Sequence, residues 1–271
     1  MNDATFAGYA AIVQSEFGIQ LPPSKKTLLE SRLYPVLAEG GPAEHYITAE
    51  SFLRALRHDR SGHLLHILAE AITTHHTFFM READHFRFYQ KSVLPWVDRT
   101  AKDGDIRTWC AACSSGEESY TLAMILEDYF SLKRGVEKTM LATDLSDEIL
   151  ATARAGIYPR TSVASLPHSW QSTYFAPYDR KNLIVTDLLK RQVLYRHFNL
   201  MDPFPFRRPF HVIFCRNVMI YFDAPTRHEL VQKFYDFLVP GGFLFLGHSE
   251  IIDRGSAPFT YVMPSVYRKP L

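Results

Sequence analysis

Between Ile106 and Asp144 the chain runs short apolar strand, glycine turn, helix and strand again, an order that leaves few folds open. Ile106–Ala111 is a brief apolar run, Ser114-Ser115-Gly116 is turn chemistry, Glu117–Phe130 has helical periodicity, and Thr139–Thr143 is the next strand, stopping at Asp144. Two strands joined through a helix pair in parallel, and the crossover is right-handed. The predicted buried face of the helix is Leu122, Ala123, Leu126, Tyr129 and Phe130. A helix over about Ser146–Ala155, a strand over Phe210–Cys215, a helix over Pro225–Leu238 and a strand over Phe243–Gly247 continue the pattern. This is a doubly wound α/β sheet, and the tail Tyr261–Lys269 reads as a last antiparallel edge strand.

The first seventy or so residues follow a different grammar. Phe6, Tyr9, Ala10 and Val13, then Leu28, Leu29, Leu33 and Leu37, then Leu64, Ile67, Leu68 and Ala71 recur at helical spacing, with Pro22-Pro23-Ser24 and Gly40-Gly41-Pro42 as punctuation. The division expected is a helical unit over 1–72, a linker over 73–100 and the α/β domain over 101–271. Within the last, 174–198 alternates weakly through Leu183, Val185, Val193 and Tyr195 and reads as an inserted β subdomain.

Lys and Arg total 30 against 29 acidic residues, so no global field is available to hold nucleic acid or an anionic membrane. No apolar run approaches the roughly 20 residues that span a bilayer, and the start lacks a secretory pattern, so a cytoplasmic protein is expected. Cys110, Cys113 and Cys215 suit free thiols in a reducing compartment. Cys110-Ala111-Ala112-Cys113 has redox spacing but spans a strand end, where buried structural thiols are the plainer reading. His75 and His76 are adjacent and cannot easily share one ion, so no metal is expected.

In such a sheet, ligands sit beyond the carboxyl ends of the strands. The turn Ala112–Glu118 has one glycine, lacks G-x-G-x-x-G and opens its helix with Glu117 and Glu118, which would repel a pyrophosphate. Acidic residues there suit a locally cationic ligand, and adenosylmethionine carries an ammonium and a sulfonium; complementing the helix dipole is their other reading. Asp144, at the second strand's end, is placed to accept both hydroxyls of a ribose, or to cap the next helix.

Six segments, in order along the chain, carry a resemblance: TTHHTFFMRE (73–82), WCAACSSGEESYTLAM (109–124), ATDLSDEIL (142–150), FNL (198–200), FCRNVMIYF (214–222) and PGGFLFLGHSE (240–250). Together they resemble the CheR-type chemotaxis protein-glutamate methyltransferases. The resemblance implies a Rossmann-like adenosylmethionine-dependent methyltransferase domain, mainly parallel, behind a small helical domain and carrying a small β insertion. It implies that Thr77 and Arg81 close over the cofactor and reactive centre, with His75 beside them. Glu118, with Glu117, would face the methionine end, Asp144 the ribose, and Asn199 and Leu200 the adenine. Arg216, Asn217 and Val218 would floor the site near the sulfonium, and Tyr221 would sit by the transferred methyl, making Arg81 and Tyr221 the catalytic pair. The product would be S-adenosylhomocysteine. The chain departs from the family at His75 (usually Asn), Met80 (usually Phe) and Ser119 (usually Pro).

A glutamate acceptor is an anion at neutral pH and needs no general base. The Asp/Asn-Pro-Pro-aromatic motif of many amide and nucleobase N-methyltransferases is absent. Arg54, Arg57 and Arg60 recur every three residues and read either as a solvated helix face or as a basic stripe for an acidic helical partner; the family resemblance favours docking, with the cytoplasmic helical region of chemoreceptors as the expected partner. Tether-binding relatives typically carry a glycine-containing loop in the β insertion; Tyr178-Asp179-Arg180-Lys181-Asn182 has no glycine, so no C-terminal tether peptide is expected to bind. The chain is expected to act as a monomer without membrane insertion.

Overall fold

The structure is a computed structural model and describes residues 1–101, 103–252, 255 and 257–271. Four helices open the chain: α1 (Asp3–Phe17), α2 (Lys26–Leu37), α3 (Ala49–Leu56) and α4 (His63–Ile72). Asn2 caps α1 by accepting from the Thr5 amide, Gly18 ends it at φ 70°, and Thr48 forms a capping box with Ser51 at α3. Tyr9, Val13, Leu29, Leu33, Phe52 and Leu68 close one apolar cluster of their own. Leu28 faces outward, 41% exposed. Arg54 belongs to α3, but Arg57 is its C-cap and Arg60 lies in the following turn. The three arginines are exposed yet do not form a stripe on one helix, because α3 stops at Leu56.

The connecting segment holds α5 (Ala83–Phe88), a π turn at Tyr89–Val93 and α6 (Leu94–Thr100). Then come β1 (Thr108–Ala111), α7 (Glu117–Phe130), β2 (Met140–Asp144), α8 (Asp147–Ala155), β3 (Ile157–Pro159), α9 (Arg160–Val163), α10 (His168–Tyr174), β4 (Phe175–Pro177), β5 (Asn182–Val185), α11 (Asp187–Lys190) and β6 (Val193–His197). β7 (Phe210–Cys215), α12 (Ala224–Asp236), β8 (Leu238–Leu246), β9 (Thr260–Met263) and β10 (Val266–Arg268) complete the chain. The large sheet has the order β6-β2-β1-β7-β8-β10-β9. Its first five strands are parallel, and β10 runs antiparallel to β8 and β9. The chain order reverses at β1, which lies between β2 and β7, so the crevice for a ligand opens there.

Three details differ from the sequence reading. The 174–198 segment is not one β unit: β6 pairs with β2 in the large sheet, while β4 and β5 join β3, at 157–159, in a separate antiparallel sheet. Local alternation cannot say which sheet a strand enters. The tail supplies two antiparallel strands instead of one, with β9 at the edge. And α7 is buried almost all round from Ser119 to Leu126, because the π turn and α11 pack against it in addition to the sheet strand β6. No helix among the described residues is long and apolar enough to cross a membrane.

Candidate active site

The turn after β1 places three left-handed residues close together, Ala112 at φ 60°, Ser114 at φ 51° and Gly116 at φ 98°. A Cβ on Gly116 would meet the Tyr158 hydroxyl at 2.8 Å, so the glycine is required by space as well as by φ. The two strained non-glycine residues turn the Ser114 amide toward Asp144, which accepts it at 2.8 Å through Oδ2 and takes the Ser146 amide at 3.2 Å through Oδ1. Each carboxylate oxygen thus keeps a lone pair for a further donor. Burial pushes the Asp144 carboxyl up, and the amides of Ser114 and Ser146 oppose that shift. Ser114 Oγ is buried without a hydrogen-bond partner on the same wall. Ser119 donates to the Gly116 carbonyl at 2.9 Å and meets Tyr195 Oη at 2.8 Å, so its hydroxyl braces the turn.

Arg216 leaves the end of β7 with its side chain 1% exposed. Nη1 donates to Glu118 Oε2 at 2.5 Å, Nη2 to Glu82 Oε2 at 2.9 Å and to the Arg81 carbonyl, and the guanidinium lies 5.2 Å from the Phe86 ring centre. Glu118 Oε1 also accepts the Cys110 thiol at 3.2 Å. Two carboxylates therefore share one guanidinium, and the cluster keeps a net negative charge. Asn217, at φ 60°, is fixed by a second buried carboxylate: Glu250 accepts the amides of Gly247, Asn217 and Val218 at 2.5, 2.7 and 2.8 Å. Burial drives the Glu250 carboxyl up, while those amides favour its ionised form.

The linker and helical unit form the opposite wall. His75 Nε2 lies 2.9 Å from Thr73 Oγ1, and Arg81 Nη1 donates to the His76 carbonyl at 2.7 Å. Asn199 Nδ2 donates to the Glu16 carbonyl at 2.7 Å, and the Tyr221 carbonyl accepts the Gln20 amide at 2.8 Å, so α1 and the segment after it are tied to the strand ends. Tyr221 itself is 38% exposed.

These groups surround one cavity of about 420 Å³. His75, Thr77, Arg81, Glu118, Asp144, Asn199, Leu200, Arg216, Asn217, Val218 and Tyr221 all line it. Glu117 does not: it turns away into the protein, accepts from Ser115 Oγ at 2.6 Å, and burial pushes its carboxyl up. Sequence reasoning missed Ser114, the positioning carboxylates Glu82 and Glu250, and the Phe17, Lys25 and Arg32 wall from the helical unit. Glu82 and Glu250 end two of the six motif segments, which was the signal available. Cys110, Cys113 and Cys215 are free and buried, and burial raises all three thiols.

Residues 75–267 match the family described as CheR methyltransferase, SAM binding domain. The chain belongs to the CheR methyltransferase family. Three CheR-family relatives show how far the likeness runs. The Borreliella burgdorferi chemotaxis protein methyltransferase is 40% identical over 95% of this chain and 91% of its own. A probable chemotaxis protein methyltransferase of Rhizobium etli is 35% identical over 89% and 90%, and the Escherichia coli chemotaxis protein methyltransferase 33% identical over 98% and 91%. The cofactor of this CheR-family domain is S-adenosylmethionine, and the residues present fit it. Asp144 and the unpartnered Ser114 hydroxyl suit a ribose, the Glu118–Arg216–Glu82 cluster suits an ammonium, and Leu145, Phe198 and Leu200 offer an apolar wall to a base.

Proposed function

We propose that this CheR-family enzyme methylates glutamate side chains in the cytoplasmic helical region of chemoreceptors, forming glutamyl methyl esters and S-adenosylhomocysteine. The observation that carries the reading is the cavity itself. Asp144 and Glu118 stand at the strand ends, and Arg81 and the half-open Tyr221 stand on the remaining wall, where an acceptor would arrive from outside. When bound, adenosylmethionine supplies an electrophilic methyl on a sulfonium. The chain's own work is placement. Asp144 holds a diol, Glu118 an ammonium, and Glu250 fixes the Asn217–Val218 floor through their amides. Arg81 would orient the anionic acceptor, and Tyr221 would stand on the wall beside the transferred methyl. Alignment of this kind is worth roughly 7–11 kcal/mol of a barrier. A glutamate is already ionised near neutrality, so no side chain has to remove a proton.

The helical unit 1–72 serves as the receptor-facing part, 73–100 as the linker that closes the site and 101–271 as the cofactor domain. The β4–β5 turn supports a chain that works without a tether. Asp179 closes the turn on itself, accepting the Lys181 and Asn182 amides at 2.7 Å each, with no glycine to open a loop. Calorimetry with a receptor C-terminal peptide is expected to show no binding, and micromolar affinity would overturn this part. The main test is transfer of labelled methyl from adenosylmethionine to receptor protein, followed by alkali. Release of the label as methanol is expected; label that stays on the protein would exclude an ester.

A further inference from the structure

His66 of α4, Asp147 at the start of α8 and His197 at the end of β6 lie far apart in the chain. Their potential ligand atoms nevertheless fall within 4.8 Å of one another. We propose that these three side chains bind a divalent transition-metal ion of the zinc class, joining the helical unit to the sheet at a point outside the cofactor cavity. The expectation of no metal rested on the cysteines and on His75-His76, and spacing along the sequence could not reveal this set.

The donor set is two imidazoles and one carboxylate, which suits zinc and cobalt and leaves a fourth position for water. The orientation of His66 is the decisive detail. Its Nε2 lies 3.7 Å from Glu70 Oε1, and its Nδ1 lies 3.9 Å from Asp147 Oδ2. Glu70 is held in place, because it accepts the Asp147 amide at 2.7 Å and the Ser146 hydroxyl. Nδ1 is the ring nitrogen nearer Asp147 and therefore the one placed to ligate, while Nε2 faces Glu70, and a small closure on binding would bring that outer carboxylate into hydrogen-bond range. Tetrahedral zinc with bonds of 2.0–2.1 Å places its ligand atoms about 3.3 Å apart. The Nδ1–Oδ2 separation exceeds that by well under an ångström, and both side chains are partly exposed and free to close on an ion. The His197 backbone is fixed, since β6 pairs Asp144 with His197 and the Phe198 amide donates to the Asp144 carbonyl at 2.9 Å.

A second group, Glu82, His85 and His248, also brings its potential ligand atoms within 4.8 Å of one another. There the Arg216 guanidinium already donates to Glu82 at 2.9 Å, and a metal cation would face that positive charge. No such cation is bonded to Glu70 or Asp147 among the described residues.

The test uses the full chain stripped with a chelator and then titrated with Co²⁺, followed by Zn²⁺. One equivalent of Co²⁺ is expected to give a saturable visible spectrum that Zn²⁺ displaces, and Zn²⁺ at hundredfold excess over Kd should raise Tm by roughly 5–10 °C. His66→Gln combined with His197→Gln, and separately Asp147→Asn, should abolish the spectrum while keeping the metal-free Tm of the parent. Glu70→Gln should weaken affinity roughly 10–100-fold, and His248→Gln should change nothing. No saturable spectrum from the parent chain would overturn the proposal, as would retention of binding in the 66/197 variant or its loss in His248→Gln alone.

Discussion

Replacing Arg216 by Met tests the cluster at the floor of the cavity most directly. Met keeps an apolar stem over Phe86 but removes the guanidinium from Glu82, Glu118 and the Arg81 carbonyl. The side chains of the three charged partners are 1%, 14% and 13% exposed for Arg216, Glu82 and Glu118, so water cannot readily replace the lost donor. Leaving buried charge unpaired costs about 3–5 kcal/mol. In a chain of this size that corresponds to a Tm lower by roughly 6–20 °C. The cost should also depend on pH. Burial alone would raise the Glu82 carboxyl, but the hydrogen bond and charge of Arg216 outweigh it and hold the group below its ordinary 4.5. A folded value lowered in this way stabilises the protein above the unfolded value and loses that stabilisation as pH falls through the folded one. The gap between parent and variant should therefore be full near neutrality and narrow below pH 4.5. Urea unfolding at a series of pH values measures it, with Glu82→Gln and Glu118→Gln added to Arg216→Met as the arm that should recover most of the loss. A single-variant loss under roughly 1 kcal/mol, or a gap that does not narrow in acid, would refute the claim of a buried, charge-coupled cluster.

Asp144→Asn replaces one accepting oxygen by an amide that must face a donor. Charge-assisted hydrogen bonds of about 1.5–3 kcal/mol are lost, so adenosylhomocysteine affinity by calorimetry should fall roughly 10–150-fold. Gly247→Ala puts a Cβ 2.4 Å from Asn217 Nδ2 and 2.9 Å from its amide nitrogen. Overpacking of this kind costs about 1–3 kcal/mol, and methyl transfer should drop with it in a labelled-donor assay because the Asn217–Val218 floor must move. Arg81→Ala should leave donor affinity nearly unchanged while turnover falls roughly 100-fold; unchanged turnover would remove Arg81 from the acceptor's path.

What the sequence disclosed followed from range. The strand, turn and helix from Thr108 to Phe130 are encoded locally, by a short apolar run, one glycine and a helical repeat, and they stand where that grammar places them. Asp144 was legible because a carboxylate at a strand end has a fixed place in such a sheet. The burial of α7 on both sides was not legible, since the residues that cover it come from the linker and from β6 and α11. Glu117 and Glu118 look equivalent in sequence, yet one helical step of about 100° turns the second toward Arg216 and the first into Ser115. The Glu250 carboxylate acts through backbone amides, those of Asn217 and Val218 coming from a loop distant in sequence, a role that no pattern of neighbouring side chains announces. The bounds of the β insertion are not legible for the same reason: strand pairing is a long-range choice, and β3 and β6 each find their sheet through residues distant in sequence.

The charges around the cavity are sorted by wall, and this bears on how one site can hold both partners of the proposed reaction. Asp144 comes from the end of β2 and Glu118 from the first turn of α7, whereas Lys25 and Arg32 come from the helical unit and Arg81 from the linker. Arg216 does not disturb the sorting, because Glu118 and Glu82 both pair with it. A cationic donor on the sheet side would therefore meet carboxylates, and an anionic acceptor entering from the other side would meet guanidinium and ammonium groups. Were all the carboxylates on the acceptor's path, at 4 Å each would repel a glutamate by about 4 kcal/mol at the effective dielectric of a protein surface. Separating the charges removes that barrier without a base or a metal at the reacting atoms. It also explains why the helical unit has to be tied to the sheet by Asn199 and Tyr221: the Lys25, Arg32 and Arg81 charges belong to the helical unit and the linker, and they act on the cavity only while those stay in place.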